Sequence, residues 1–346
     1  MPHDLGSGST GRERWRGLIA LVILFAGSLL VAALVAPWAL RGARALADAW
    51  PARWAVYLAE KDLPRYVDRV RWLAVLAGLP WLVRACGIHG WRDLGVGPFV
   101  PSRRRFGLWL LGGVATVGLL AVCQLASGVT ALGTAAGWGR ALEVLALAAA
   151  SAVCIGFLEE VVFRGVVLRA FLRGIGSVTV AVALASAFFA LVHFQRVPSH
   201  SWEGTAAGPT IADGLRVAGA SLVSIGEAWR GELFLGLFLA GATLCLVVLR
   251  SGSLWPAVGL HAGWVWAALV YRRLVAVPGP EPAATWLWGS RDLVDGVVPL
   301  LLVASLAAVL AIRGVSRPGA APTAAPSGPP SPGALAESPA PRSRSR

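Results

Sequence analysis

The sequence contains no asparagine and a single lysine, Lys61. Charged residues of every kind are scarce, at 14% of 346 residues, against about 25% in a soluble domain. With 56% hydrophobic residues and a mean hydropathy of +0.67, that scarcity excludes an ordinary soluble globule and indicates an integral membrane protein. The formal net charge is +13, almost all of it from arginine. A nucleic-acid binder would need a basic face with stacking aromatics on a soluble module. No such module is visible, so nucleic acid is not expected as a partner. The arginines flank apolar runs instead, as cytoplasmic membrane anchors do. Cysteine is limited to Cys86, Cys123, Cys154 and Cys245, with no C-x-x-C pair. That excludes a disulfide framework or a cysteine zinc site and leaves small buried residues. The H-E-x-x-H signature of zincins is absent, and no internal repeat of the transporter kind is present.

The apolar runs predict an all-α, polytopic membrane protein with about eight transmembrane helices, near 17–40, 68–87, 106–127, 141–173, 177–195, 230–249, 254–273 and 294–313. The first run, about 24 residues, is too long for a signal-peptide core and reads as a retained helix. Residues 41–67 mix charges with Trp50, Trp54 and Tyr57. They read as an interfacial helix or as a solvated connector. Residues 127–139 form a Gly/Ala-rich connector, either loop or weak helix. The connector 196–229 contains an apolar piece, Ile211 to Ile225, suited to a surface or re-entrant helix. The Pro/Ala/Ser/Gly tail, 314–346, cannot bury enough apolar surface to fold. Eight spans place both termini on one side. An inside N-terminus fits Arg92, Arg103–Arg105, Arg169, Arg173 and Arg250, while Arg41, Arg44 and Arg53 run against it.

The fourth run holds Phe157-Leu158-Glu159-Glu160-Val161-Val162-Phe163-Arg164-Gly165. Charges at membrane depth cost at least ~2.5 kcal/mol each on insertion scales, so they usually mark function. A 33-residue helix would measure about 50 Å, longer than a bilayer core, so it must bend or overhang. Gly156 is a candidate bend, and Arg169, Arg173 and Gly174 a candidate C-terminus. Glu160 and Arg164 share a helical face and can neutralise each other. That leaves Glu159, about 100° around the helix, available as a base. Across a turn at Gly174-Ile175-Gly176, His193 falls at nearly the depth of Glu159, and Phe189 shares its face. His261 lies about ten residues past the Ser251–Ser253 turn, which places it about 10 Å shallower on vertical spans. Each feature also has a structural reading: a histidine can cross-link helices, and a Glu–Arg pair can be a buried bridge. His3, His89 and His200 fall in a tail or in loops and are read as incidental.

Glu159-Glu160-x-x-x-Arg164, Phe189-x-x-x-His193 and His261-x-x-x-Val265 resemble the three-motif signature of the CPBP family. These are the CAAX prenyl endopeptidase and bacteriocin-processing intramembrane proteases, also called Abi. The flanking Phe163-Arg164-Gly165 and Gly252-Ser253-Leu254-Trp255-Pro256 agree. The resemblance covers about 140–275. It implies a catalytic site within the helix bundle and hydrolysis of a membrane-associated peptide or protein. Glu159 and His193 would activate water, and His261 would stabilise the oxyanion. Where relatives often carry asparagine, this chain has Val265. Any second donor must then be His261, a tryptophan, a backbone N–H or Arg164. Zinc, if held, would sit on Glu159, His193 and His261, but a metal-free mechanism uses the same residues and is the preferred expectation. The implied organisation is a polar segment 1–16, membrane helices 17–139, a protease-like core 140–275, a last loop and helix 276–313, and the tail. The Arg/Ala/Gly-rich composition points to a bacterial inner membrane. Two other functions share these features. One is a non-catalytic scaffold or immunity-type binding protein, motivated by Val265; the other is a proton-coupled transporter using Glu159 and His193.

Overall fold

The computed structural model describes residues 11–133, 138–195, 197–204, 208–277, 284–291 and 293–312. His3, residues 134–137 of the connector and the tail 314–346 lie outside the described residues. The chain is helical nearly throughout. In order the elements are α1 (Gly11–Ala49), α2 (Arg53–Ala59), α3 (Leu63–Ala85), α4 (Phe99–Ala126), β1 (Ala131–Leu132), α5 (Trp138–Glu160), a π-helical turn (Val161–Val167) and α6 (Leu168–Ile175). There follow α7 (Val178–Phe194), α8 (Ile211–Glu227), α9 (Gly231–Ser251), α10 (Leu254–Leu274), β2 (Val275–Ala276), α11 (Thr285–Trp288) and α12 (Val297–Ile312).

Among the described residues, five stretches are long and apolar enough to cross a membrane: Trp15–Ala49, Phe99–Ala126, Leu142–Ile175, Gly231–Ser251 and Leu254–Leu274. α7 and α12 are shorter apolar helices. The chain is thus an all-α polytopic membrane protein. The second expected span, α3, is the exception in character, because Arg65, Asp68, Arg69 and Arg71 lie within it. The segment 41–67 is divided among the end of α1, all of α2 and the start of α3. The apolar piece near 211–225 forms α8, which packs on α1.

α10 is the central helix, in contact with α4, α5 and α9. Its Gly259 and Gly263 are four residues apart on one face. A Cβ at either would collide with the carbonyl of Phe106 or Leu110, and one at Gly113 with that of Leu260. α4 and α10 therefore touch backbone to backbone, the close approach that small residues allow in membrane bundles. Gly156, the expected bend, lies within the continuous helix α5. It is the contact point with α10, where a Cβ would sit 3.1 Å from the Ala262 nitrogen. The irregularity lies further on, in the π-helical Val161–Val167, all of it buried. The helix also ends later than expected: Gly176, not Gly174, adopts the left-handed cap with φ 77°. Ser177 then caps α7 by accepting from the Val180 N–H.

β1 and β2 form a two-residue antiparallel ribbon pairing Ala131 with Ala276 and Leu132 with Val275. Beside it, fully buried Gln124 donates to the carbonyls of Trp288, Gly289 and Ser290 and accepts from the Tyr271 hydroxyl at 2.5 Å. This network satisfies the loop before α12, which Arg230 and Asp295 also pin by an ion pair.

Candidate active site

The site forms where the end of α5 meets α7 and α10. Glu160 is fully buried. Its Oε1 accepts from Arg164 Nη1 at 2.8 Å and from His261 Nδ1 at 2.8 Å. Arg164 also donates to the Gly241 carbonyl at 3.3 Å and lies 4.5 Å from the centre of the Phe189 ring. Glu160 thus balances the buried guanidinium and orients an imidazole from another helix. It does more than the expected Glu–Arg bridge.

His193 is oriented from its own helix. Its Nδ1 lies 2.7 Å from the Phe189 carbonyl, so Nδ1 carries the proton and donates it. The Phe189 ring supports the imidazole, with centroids 4.4 Å apart. His261 Nδ1 is likewise committed to Glu160. In the neutral form, both histidines turn an Nε2 lone pair the same way. Both point towards Glu159, with Nε2 to Oε2 distances of 3.9 Å for His193 and 3.8 Å for His261. Those separations exceed a hydrogen bond. Glu159 Oε2 is buried and has no hydrogen-bond partner. A water molecule, with two O–H bonds, bridges at most two of these three acceptors, and the 3.8–3.9 Å separations leave room for it between Glu159 Oε2 and one imidazole.

Two cavities meet at His193. One, of about 500 Å³, has a mixed lining that includes Glu159, Phe163 and charged residues of α3. The other, of about 290 Å³, is mostly apolar and lined by Phe189, His261, Trp264, Val265, Leu237 and others. Val265 faces this second cavity one helical turn after His261. The candidate donors that might replace an amide there narrow sharply. Trp264 Nε1 donates to Thr116, Trp266 Nε1 to the Leu145 carbonyl, and Trp255 Nε1 to the Gly97 carbonyl. Arg164 is held by Glu160 and Gly241. His261 Nε2 faces the site, 3.8 Å from Glu159 Oε2.

The donor set suits zinc by type. However, tetrahedral bonds of about 2.0–2.1 Å would bring ligand atoms to about 3.3 Å apart, closer than the 3.8–3.9 Å found here. Among the described residues no group of three His, Cys, Asp or Glu has metal-holding geometry. The residues as placed therefore do not fit a closed zinc centre.

The structure brings together Glu159, Glu160, Arg164, Phe189, His193 and His261, with Val265 on the cavity wall. His261 reaches Glu159 and Glu160 despite the offset expected from its turn. Beside that turn, Leu254 N–H donates to the Gly95 carbonyl at 2.9 Å. His89 and His200 lie away from these groups. Sequence reasoning missed the α3 wall: Asp62, Arg65, Asp68, Arg69 and Arg71 all line the larger cavity. Their spacing of three and four residues was the available signal, obscured by a boundary drawn through the helix at 67/68.

Residues 141–267 match the family model described as type II CAAX prenyl endopeptidase Rce1-like. No curated protein and no solved structure matches the chain. The matched residues include all three motifs. Over residues 141–267 the chain is accordingly similar to the Rce1-like family, in agreement with the CPBP resemblance of its motifs.

Proposed function

We propose that this protein is an intramembrane endopeptidase acting on a membrane-associated peptide or protein, with its site inside a bundle of about eight crossings in a bacterial inner membrane. The Rce1-like match supports peptide hydrolysis at a membrane. The observation that carries the mechanism is the buried, unpartnered Glu159 Oε2, set 3.8–3.9 Å from two imidazole Nε2 atoms.

Water between Glu159 and His193 is the nucleophile. Glu159 takes one of its protons as the water oxygen bonds to the scissile carbonyl carbon, and His193 Nε2 accepts a hydrogen bond from the other O–H. Negative charge develops on the former carbonyl oxygen. His261 stabilises it through Nε2–H, with the ring held in place by the hydrogen bond from Nδ1 to the Glu160 carboxylate. Collapse breaks the C–N bond, and the proton held by Glu159 passes to the leaving nitrogen. Glu160 and Arg164 position the imidazole and touch no reacting atom. The scheme needs no metal.

The test is comparative proteomics of native and Glu159→Ala cells. Unprocessed membrane peptides should accumulate in the variant, with its membrane expression unchanged. Full processing by Glu159→Ala would sink the assignment. Val265 favours one second reading, a non-catalytic membrane binding protein. A purified chain that cleaves nothing yet co-purifies with one partner would establish that reading.

A further inference from the structure

The α3 wall of the larger cavity contains a group that the proposed chemistry does not use. Arg71 is 5% exposed. Its Nη2 donates to Asp68 Oδ1 at 3.0 Å, and its guanidinium lies 5.3 Å from the centre of the Trp72 ring. Nη1 is buried and has no hydrogen-bond partner. A buried cationic donor without an acceptor is costly, so its persistence calls for a ligand. Arg71 lines the same cavity as Glu159 and His193, and Arg65 and Arg69 add cations to that wall. The carboxylates opposite are already engaged in part. Asp62 caps α3 by accepting from the Arg65 N–H, and Asp68 holds Arg71.

We infer that Arg71 is a specificity-determining residue that binds a carboxylate of the substrate, held in the cavity beside α3 while the scissile bond lies against Glu159. This rests on the protease reading given above. A guanidinium fixed on one side by Asp68 and Trp72 offers its remaining edge to a ligand. The planar fork suits a carboxylate better than a lone carbonyl. The adjoining apolar cavity at His193 takes the hydrophobic residues on the other side of the bond. The carboxylate could be the substrate's C-terminus or an acidic side chain, and the two sources are separable.

The experiment uses the full chain in liposomes and three matched sets of fluorescent apolar peptides: free C-terminal acids, C-terminal amides, and amides with one internal glutamate. Cleavage is measured for wild type, Arg71→Gln and Arg71→Lys, and binding is measured with Glu159→Gln. Wild type should prefer a carboxylate-bearing set over plain amides by about tenfold or more in kcat/KM. Arg71→Gln should remove that preference through KM, and Arg71→Lys should retain part of it. Preference for free acids identifies the C-terminus, and preference for the glutamate set identifies a side chain. Equal cleavage of all sets by wild type overturns the inference and leaves the protease reading standing. An equal loss on every set in Arg71→Gln, with the preference kept in Arg71→Lys and the protein monodisperse, overturns it as well. Carboxylate-selective, Arg71-dependent binding without any cleavage supports the carboxylate site and sinks the protease reading. Absence of both binding and cleavage overturns both.

Discussion

Glu160 Oε1 and His261 Nδ1 are hydrogen-bonded at 2.8 Å across 101 residues of sequence. This contact ties the first motif to the third. It fixes which imidazole nitrogen faces Glu159. The acidic pair is therefore divided in function: one carboxylate faces the cavity, and the other is consumed by a cation and an imidazole.

Removing that second carboxylate should damage the fold as well as the chemistry. Glu160→Ala leaves Arg164 buried without its anion, and breaking such a pair costs about 3–5 kcal/mol. We expect a loss of thermal stability in detergent together with loss of cleavage. Glu159→Ala, by contrast, should leave the melting temperature near that of wild type. Equal melting temperatures for the two variants would contradict the division of roles.

His261→Ala should lower kcat by about 10²–10³, the usual cost of an oxyanion donor. KM should change little, because the interaction strengthens only as charge develops. Steady-state kinetics on any processed peptide reads the split. A defect confined to KM would assign His261 to substrate binding instead.

Val265→Asn should raise kcat by supplying an amide beside His261, up to about 10²-fold if the side chain reaches the oxyanion. It should also cost about 1–3 kcal/mol of stability, since a polar group enters an apolar wall. An unchanged rate with a lowered melting temperature would mean that the oxyanion lies out of reach of this position.

Gly263→Leu should disrupt the site without touching it. The new side chain would meet the Leu110 carbonyl and the Val114 nitrogen across the α4–α10 contact, where overpacking costs about 1–3 kcal/mol or more. Cleavage and thermal stability should fall together. A variant of normal stability and activity would show that α4 is free to move away from α10.

Chelators should leave cleavage unchanged, because Glu159, His193 and His261 are spaced for water and not for a closed zinc centre. Activity lost in a chelator and restored by zinc alone would require these residues to contract around a metal, and would replace the scheme proposed above.

The amino-acid sequence alone was enough to identify the class and the principal residues. Glu159, Glu160, Arg164, His193 and His261 stand out because charge and imidazole are expensive in apolar runs, and turn positions set the relative depth of Glu159 and His193. The depth of His261 could not be obtained this way. Counting residues from a turn assumes vertical spans that end level with one another. The charged face of α3 was also hidden, because the boundary at 67/68 divided its residues between a connector and a span. Gly156 and Gly174 show the same limit: a glycine marks a special backbone position, but only the neighbouring helix decides whether it is a bend, a cap or a contact. The sequence determined which groups must be sheltered from lipid. The tertiary structure decided which of them face one another, because that depends on helix contacts that no local pattern encodes.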